Sequence, residues 1–354
     1  MFYIESLNLQ KINKKFWNKK RVLITGHTGF KGRWLSMLLK ELNCSVYGIS
    51  RKKSSDKFVK SYNSDIKNTV GIKKFISRVK PEIVFHLAAQ PIISISYERP
   101  KETYEDNILG LLNILEISKS QKSLKAIIIV TTDKCYKIDS KSPQILNELS
   151  PLGGNDPYCA SKACVEIISN SYFKSFFSYK NIGLATVRAG NLVGGNDFGK
   201  DRIIPDLFNA KKNNLNVYIR NPKSSRPWHH VIEVIYGYCL LAEKLFIKPN
   251  KFSGSWNFAK KEKKEMKVLQ LANIFLKEIK YKKKINFYKG SFDEQKKYVI
   301  SSKKSHSLLG WKPLYKKEKI IIETARWYND YLNNSISSDK LMLIHLKKYL
   351  DNIF

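Results

Sequence analysis

The chain has 354 residues, 43% hydrophobic and 27% charged, a balance that excludes a disordered polypeptide and permits a large buried core. Its 64 basic and 30 acidic residues give a net charge of +34, but no nucleic-acid-reading motif accompanies the scattered lysine runs, so no nucleic-acid partner is expected and the field would instead draw in an anionic substrate. Five cysteines without a C-x-x-C pair, and no apolar run near the ~20 residues of a bilayer span, predict a reduced, cytoplasmic protein with no metal site and no membrane segment.

The first residues (MFYIESLNLQKINKKFW) lack the apolar centre of a secretory signal. Val22, Leu23 and Ile24 form a short apolar run that predicts a buried strand. Gly26, Gly29 and Gly32 follow, and Leu35, Leu38, Leu39 and Leu42 then recur at helical spacing. Strand, glycine turn and helix together are the context of a dinucleotide fingerprint, in which a pyrophosphate sits on the free N–H groups of the helix start. The spacing G-x-x-G-x-x-G departs from the usual G-x-G-x-x-G.

Ser45–Ile49 reads as a second strand, Lys52–Lys60 as a polar loop, and Val70–Val79 as a helix. Pro81 opens the strand Glu82–Ala89, and a long helix is predicted from Pro100 to about Ser118. Ala126–Thr132 (AIIIVTT) and Ile182–Arg188 read as further strands, with a helix from Tyr158 to about Phe177 between them. This alternation predicts an α/β fold: a Rossmann-like doubly wound parallel sheet in a dinucleotide-binding domain over residues 16–190. The glycine- and proline-rich texture after Ala189 predicts a smaller substrate-binding lobe over residues 191–335. Residues 336–354 carry Leu341, Ile344, Leu346, Leu350 and Ile353 at amphipathic spacing, a helix expected to pack on the body or on another subunit.

Three features carry candidate chemistry. Thr132 and Asp133 end a predicted buried strand, and ligands of open α/β sheets lie beyond strand carboxyl ends. Tyr158 and Lys162 form a Y-x-x-x-K pair on one helix face. There the lysine is expected to lower the phenol's pKa and make it a base. Lys134, next to Asp133, is a second acid/base candidate. His86 is read as a packed, hydrogen-bonded residue rather than a catalyst.

In this order the motifs resemble the extended short-chain dehydrogenase/reductases and, within them, the sugar-nucleotide 4,6-dehydratases, from about Phe16 to Tyr328. The segments that carry the likeness are ITGHTGFKG (24–32), HLAAQP (86–91), TTDKCY (131–136), GGNDPYCASK (153–162), RAGNLVGGND (188–197), DRIIPD (201–206), IRNP (219–222), RPWHHV (226–231) and WNF (256–258). The match is poor in Ser291–Lys304 beyond Glu294. Cys159 and His229 stand where the family is expected to carry Ser and Gln.

The resemblance implies bound NAD and CDP-glucose as substrate, with Tyr158 and Thr132 acting at C4, Lys134 as the C5 base, Asp133 as the acid toward the 6-hydroxyl, and a 4-keto-6-deoxy sugar as product. It places such a product in dideoxyhexose synthesis for a cell-surface polysaccharide (O-antigen). It assigns the cofactor to Gly26, His27, Gly29, Phe30, Lys31, Gly32, Asp65, Ile66, Ala88, Gln90, Tyr158 and Lys162. It assigns the substrate to Gln90, Ser96, Arg188, Asn191, Arg202, Arg220, Arg226 and His230. A homo-oligomer, dimer or tetramer, is implied too. The strand end Ser50-Arg51-Lys52-Lys53 lacks the acid that favours NAD and by chemistry alone suits the 2′-phosphate of NADP. The alternatives are a 4-epimerase or a dehydratase for another nucleotide and, in a different class, a non-catalytic dinucleotide sensor.

Overall fold

The computed structural model describes residues 10–54, 56, 58–138, 144–260, 266–288, 298–334 and 336–353. Residues 289–297, which include the start of the poorly matching stretch beyond Glu294, and 335, at the expected lobe boundary, lie outside them. Strands β1 (Arg21–Thr25), β2 (Ser45–Ser50), β3 (Lys60–Asn63), β4 (Ile83–His86), β5 (Ala126–Val130), β6 (Gly183–Ala189) and β7 (Gly254–Phe258) form one sheet in the order β7-β6-β5-β4-β1-β2-β3. Every pairing in it is parallel. The central strands β4 and β5 are buried along their whole length, which is why they read as unbroken apolar runs.

Strand alternation sends side chains to two cores. Val22, Ile24, Phe85, Ile128 and Val187 face one side, with Trp34, Leu35, Leu38 and Leu39 of helix α1 (Phe30–Glu41). Leu23, Val84, Ile127, Ile129 and Leu184 face the other, with Ile72 and Ile76 of helix α2 (Thr69–Val79) and Val165 of helix α3 (Pro157–Tyr172). Helix α4 (Val231–Ile247) is buried on most sides and packs between α1 and the sheet.

Several elements differ from expectation. The edge strand β3 lies at the end of a stretch read as loop; its burial is slight, so no apolar alternation marks it. Strand β7 and helix α4 belong in sequence to the expected second lobe, yet β7 pairs with β6 and α4 covers the sheet. The sheet therefore does not end at residue 190.

The helix after Pro100 has a π-helical turn at Glu105–Leu109 between Pro100–Tyr104 and Gly110–Ser118. There the Asn107 amide bonds both the N–H and the carbonyl of Gln90 and the Ser161 hydroxyl. Helix α3 likewise continues into a π turn at Phe173–Phe177. The C-terminal helix α5 (Ser338–Asp351) packs on α1 and on the helix Lys317–Asn333, burying Leu341, Leu346 and Leu350. Among the described residues no helix is long and apolar enough to cross a membrane.

Candidate active site

A cleft of about 950 Å³ lies beyond the carboxyl ends of the central strands. Its floor is the glycine turn. Gly26 has φ +74°, and a Cβ there would stand 2.8 Å from Ala88 N; a Cβ on Gly32 would stand 2.3 Å from the Gly26 carbonyl. Neither position accepts a side chain without moving backbone. Gly29 is the N-cap of α1 and no side chain bonds that helix start, so the first-turn N–H groups are left for an anion. Thr25 Oγ1 lies 2.8 Å from His86 Nδ1 and accepts from Ala88 N–H at 3.2 Å, tying β1 to the segment after β4. His86 is thus the packed residue expected.

At one end of the cleft, Ile49, Ser50, Arg51, Lys52, Ser64, Asp65 and Ile66 line the wall. Arg51 and Lys67 both pair with Asp106, at 3.1 and 3.2 Å. Among the described residues β2 ends at Ser50, whose hydroxyl donates to the Lys52 carbonyl at 2.6 Å.

At the centre, β5 delivers Thr132, Asp133 and Lys134 to the cleft. Thr132 Oγ1 donates to Asp133 Oδ1 at 3.0 Å and accepts from Lys134 N–H at 3.3 Å. Helix α3, capped by the Asp156 carboxylate on Cys159 N–H at 2.8 Å and opened by Pro157, delivers Tyr158 and Lys162. The strand end and the helix face therefore meet, as the sequence order requires.

Their electrostatics depart from expectation. Burial pushes the Tyr158 phenol up, and the Thr132 hydroxyl offsets this only in part. The Lys162 ammonium donates instead to the Val130 carbonyl at 3.3 Å, and Lys162 is not among the groups that lower the phenol. Burial, then repulsion from Lys31, brings Lys162 down to about 8. Burial, then Arg202, brings Lys31 down to about 8 as well. Three cations crowd one cleft, which suits a polyanionic ligand.

Of the residues assigned to ligands, Gly26, Gly29, Phe30, Lys31, Gly32, Asp65, Ile66, Ala88, Asn191, Arg202, Arg220 and Arg226 line the cleft. Arg202 is held by both oxygens of Asp197 at 2.9 Å.

Five of the assigned residues, His27, Gln90, Ser96, Arg188 and His230, do not line the cleft. The His27 ring packs on Gly48 and bonds the Ser61 hydroxyl at 3.0 Å, behind the glycine turn. Gln90 spends its amide on Thr103 and Ile92. Ser96 is fully buried and donates to the Ile93 carbonyl; Ser94 and Tyr97 face the cleft in its place. His230 Nδ1 accepts from Ile232 N–H at the start of α4. Arg188 is 2% exposed and belongs to a buried network. Its guanidinium donates to both oxygens of Glu166, at 2.9 and 2.7 Å, while Thr131, Thr186 and Ser255 hydroxyls donate to the same carboxylate.

Sequence reasoning missed Tyr218, Tyr288 and Tyr298, which also line the cleft. Tyr298 OH donates to Asp133 Oδ2 at 2.9 Å. It missed Arg33 on α1 too, which reaches Asn196, Ser338 and Asp339. Among the described residues no group of three His, Cys, Asp or Glu side chains could hold a metal ion.

Residues 23–324 match the sequence family described as GDP-mannose 4,6 dehydratase. The chain is 42% identical over 266 residues to a CDP-glucose 4,6-dehydratase of Salmonella typhimurium, covering 71% of this chain and 74% of that one. It is 25% identical over 347 residues to a dTDP-D-glucose 4,6-dehydratase of Bos taurus, covering 91% and 92%. In fold it is similar to a UDP-glucose 4-epimerase of Thermotoga maritima solved with UDP-glucose, at TM-score 0.78 and 20% identity over 88% of this chain and 99% of that one. It is likewise similar to a UDP-glucose 4-epimerase of Thermus thermophilus solved with NAD, at TM-score 0.76 and 20% identity over 89% and 99%.

Proposed function

The chain belongs to the GDP-mannose 4,6 dehydratase family, and we propose that it dehydrates CDP-glucose to CDP-4-keto-6-deoxyglucose with a resident NAD. The observation that carries this reading is the meeting of Thr132-Asp133-Lys134 with Tyr158 and Lys162 in one cleft floored by the glycine turn. Supporting it is the 42% identity to a CDP-glucose 4,6-dehydratase.

The residues present fit a dinucleotide. Gly26 and Gly32 leave a cradle that a Cβ would fill, the start of α1 offers uncapped N–H groups, and Lys31 adds a cation. Asp65 and Ile66 would flank the adenine. NAD supplies the hydride acceptor at C4 and, once reduced, the hydride donor at C6, so it is regenerated in each turnover.

Tyr158 takes the proton of the 4-hydroxyl, and the Thr132 hydroxyl orients that oxygen. Lys162, moved from the Val130 carbonyl toward the phenol, supplies the positive charge that burial denies Tyr158. The 4-ketone acidifies C5; Lys134 takes the C5 proton and later returns one. Asp133, as the acid, gives its proton to the departing 6-hydroxyl. Arg202, Arg220 and Arg226 face the substrate diphosphate, for which guanidinium is well shaped.

Arg51 and Lys52 at the end of β2 favour a second reading of the cofactor alone, NADP; activity of the stripped enzyme with each dinucleotide separates the two. We read the protein as cytoplasmic and homo-oligomeric. Exposed Tyr104, Leu109 and Ile167, on helices that pack together, support a subunit contact. The test of function is incubation with CDP-, dTDP-, UDP- and GDP-sugars. A 4-keto product, seen by its alkali-induced absorbance and greatest with CDP-glucose, is the expected result. Absence of product from every sugar refutes the reading.

A further inference from the structure

Tyr298 lies in none of the motif segments, yet it bonds the centre of the cleft. It opens the short strand Tyr298–Ile300, which pairs in parallel with Gln144–Leu146. Its hydroxyl donates to Asp133 Oδ2 at 2.9 Å, across a sequence separation of 165 residues. The other oxygen of that carboxylate, Oδ1, accepts from Thr132 Oγ1 at 3.0 Å. Three side chains form one line: Thr132, Asp133, Tyr298.

We propose that Tyr298 is a positioning residue for the elimination step, fixing the Asp133 carboxyl group against the departing 6-hydroxyl. This rests on the dehydratase reading above. A carboxyl group held through one oxygen can rotate about its side-chain torsions; a donor on each oxygen fixes both its place and its plane. Burial, and then the neighbouring Asp133, pushes the phenol well above its ordinary value, so Tyr298 keeps its O–H proton and remains a donor.

The step balances without Tyr298 losing that proton. Lys134 takes the C5 proton, the electron pair left behind forms the C5–C6 double bond, and the C6–O bond breaks. The leaving oxygen takes the proton of Asp133 and departs as water. Asp133 is then a carboxylate, and a hydrogen bond from a phenol to that anion is stronger than one to the neutral acid. Oxidation at C4 uses Tyr158 and Thr132 and makes no demand on Asp133.

The two half-reactions should therefore separate in Tyr298→Phe, which keeps the ring and removes one hydroxyl. In the NAD-loaded enzyme with CDP-glucose, kcat is expected to fall about tenfold or more, the value of one hydrogen bond to a charged group. KM should stay within about twofold. Enzyme-bound NADH, read by its absorbance, should build up in the first turnover because C4 oxidation outruns elimination.

Val299→Ala, at an exposed position on the same strand, should turn over like the wild type. Wild-type kcat in Tyr298→Phe overturns the inference. So does a slowing of C4 oxidation by the same factor with no reduced cofactor, or the same NADH build-up in Val299→Ala. If the wild-type enzyme makes no 4-keto product from CDP-glucose, the functional reading itself fails.

Discussion

Arg188 separates two accounts of one residue. By motif it faces the substrate; in the fold it neutralises Glu166, with both side chains almost wholly buried. Replacing Arg188 by Met keeps much of its volume but leaves a carboxylate inside the protein. Five hydrogen bonds reach Glu166, from Arg188 twice and from Thr131, Thr186 and Ser255. Three neutral donors survive the substitution, so the loss falls toward the lower end of the ~3–5 kcal/mol known for breaking a buried pair from one side.

The sign of the pH dependence also reverses. In the wild type, burial raises Glu166, but the bonds and charge of Arg188, helped by Thr131, outweigh it and hold the carboxyl below its usual value. A depressed folded pKa contributes stability above the unfolded pKa, which is lost as pH falls through the folded one. Without Arg188, burial dominates and the folded pKa rises, so this contribution is lost as pH rises above ~4.3. Urea titrations from pH 5 to 8 should show Arg188→Met losing stability toward pH 8 relative to the wild type. The double variant Arg188→Met/Glu166→Leu should recover part of the deficit. An unchanged urea midpoint accompanied by a raised KM for the nucleotide sugar would refute this account and return Arg188 to the substrate.

The glycines of the turn should behave unequally. Gly32→Ala presses a Cβ to 2.3 Å from the Gly26 carbonyl, whereas Gly29→Ala meets that carbonyl only at 3.3 Å and has no positive φ. Calorimetric titration with NAD should show about a hundredfold weaker binding for Gly32→Ala, the scale of a ~1 Å displacement, and a smaller loss for Gly29→Ala; equal losses would contradict the geometry. Dinucleotide affinity should also fall as pH rises through about 8, where Lys31 and Lys162 give up their protons. An anion favours the protonated lysines, so binding near that pH should take up protons, seen as a buffer-dependent heat in the same titrations. A pH-independent affinity between 7 and 9 argues against a ligand seated among these cations.

What was legible in the sequence followed local rules. Apolar runs gave the central strands, and the three glycines gave the turn. Thr132 and Tyr158 met because a strand end and the following helix converge in any parallel α/β unit. The edge strand β3 stayed hidden because its residues are barely buried and carry no alternation. Strand β7 stayed hidden because its place in the sheet depends on a chain that leaves after β6 and returns.

The ligand residues divide in the same way. Arg188 and Arg226 both stand in motif segments, yet only Arg226 lines the cleft. A seven-residue strand buried throughout carries Arg188 inward, and neither charge nor spacing says which arginine will be swallowed. Its partner Glu166 lies one helical turn beyond Lys162, a position that i, i+4 reasoning could have joined to the catalytic face. Tyr298 had no such signal. It reaches Asp133 only because Tyr298–Ile300 pairs with Gln144–Leu146, a register set by how the second half of the chain folds back and carried by no periodicity within either segment. Residues bound to a site through tertiary contact alone are thus the ones a single sequence conceals, and here one of them holds the group proposed to release water.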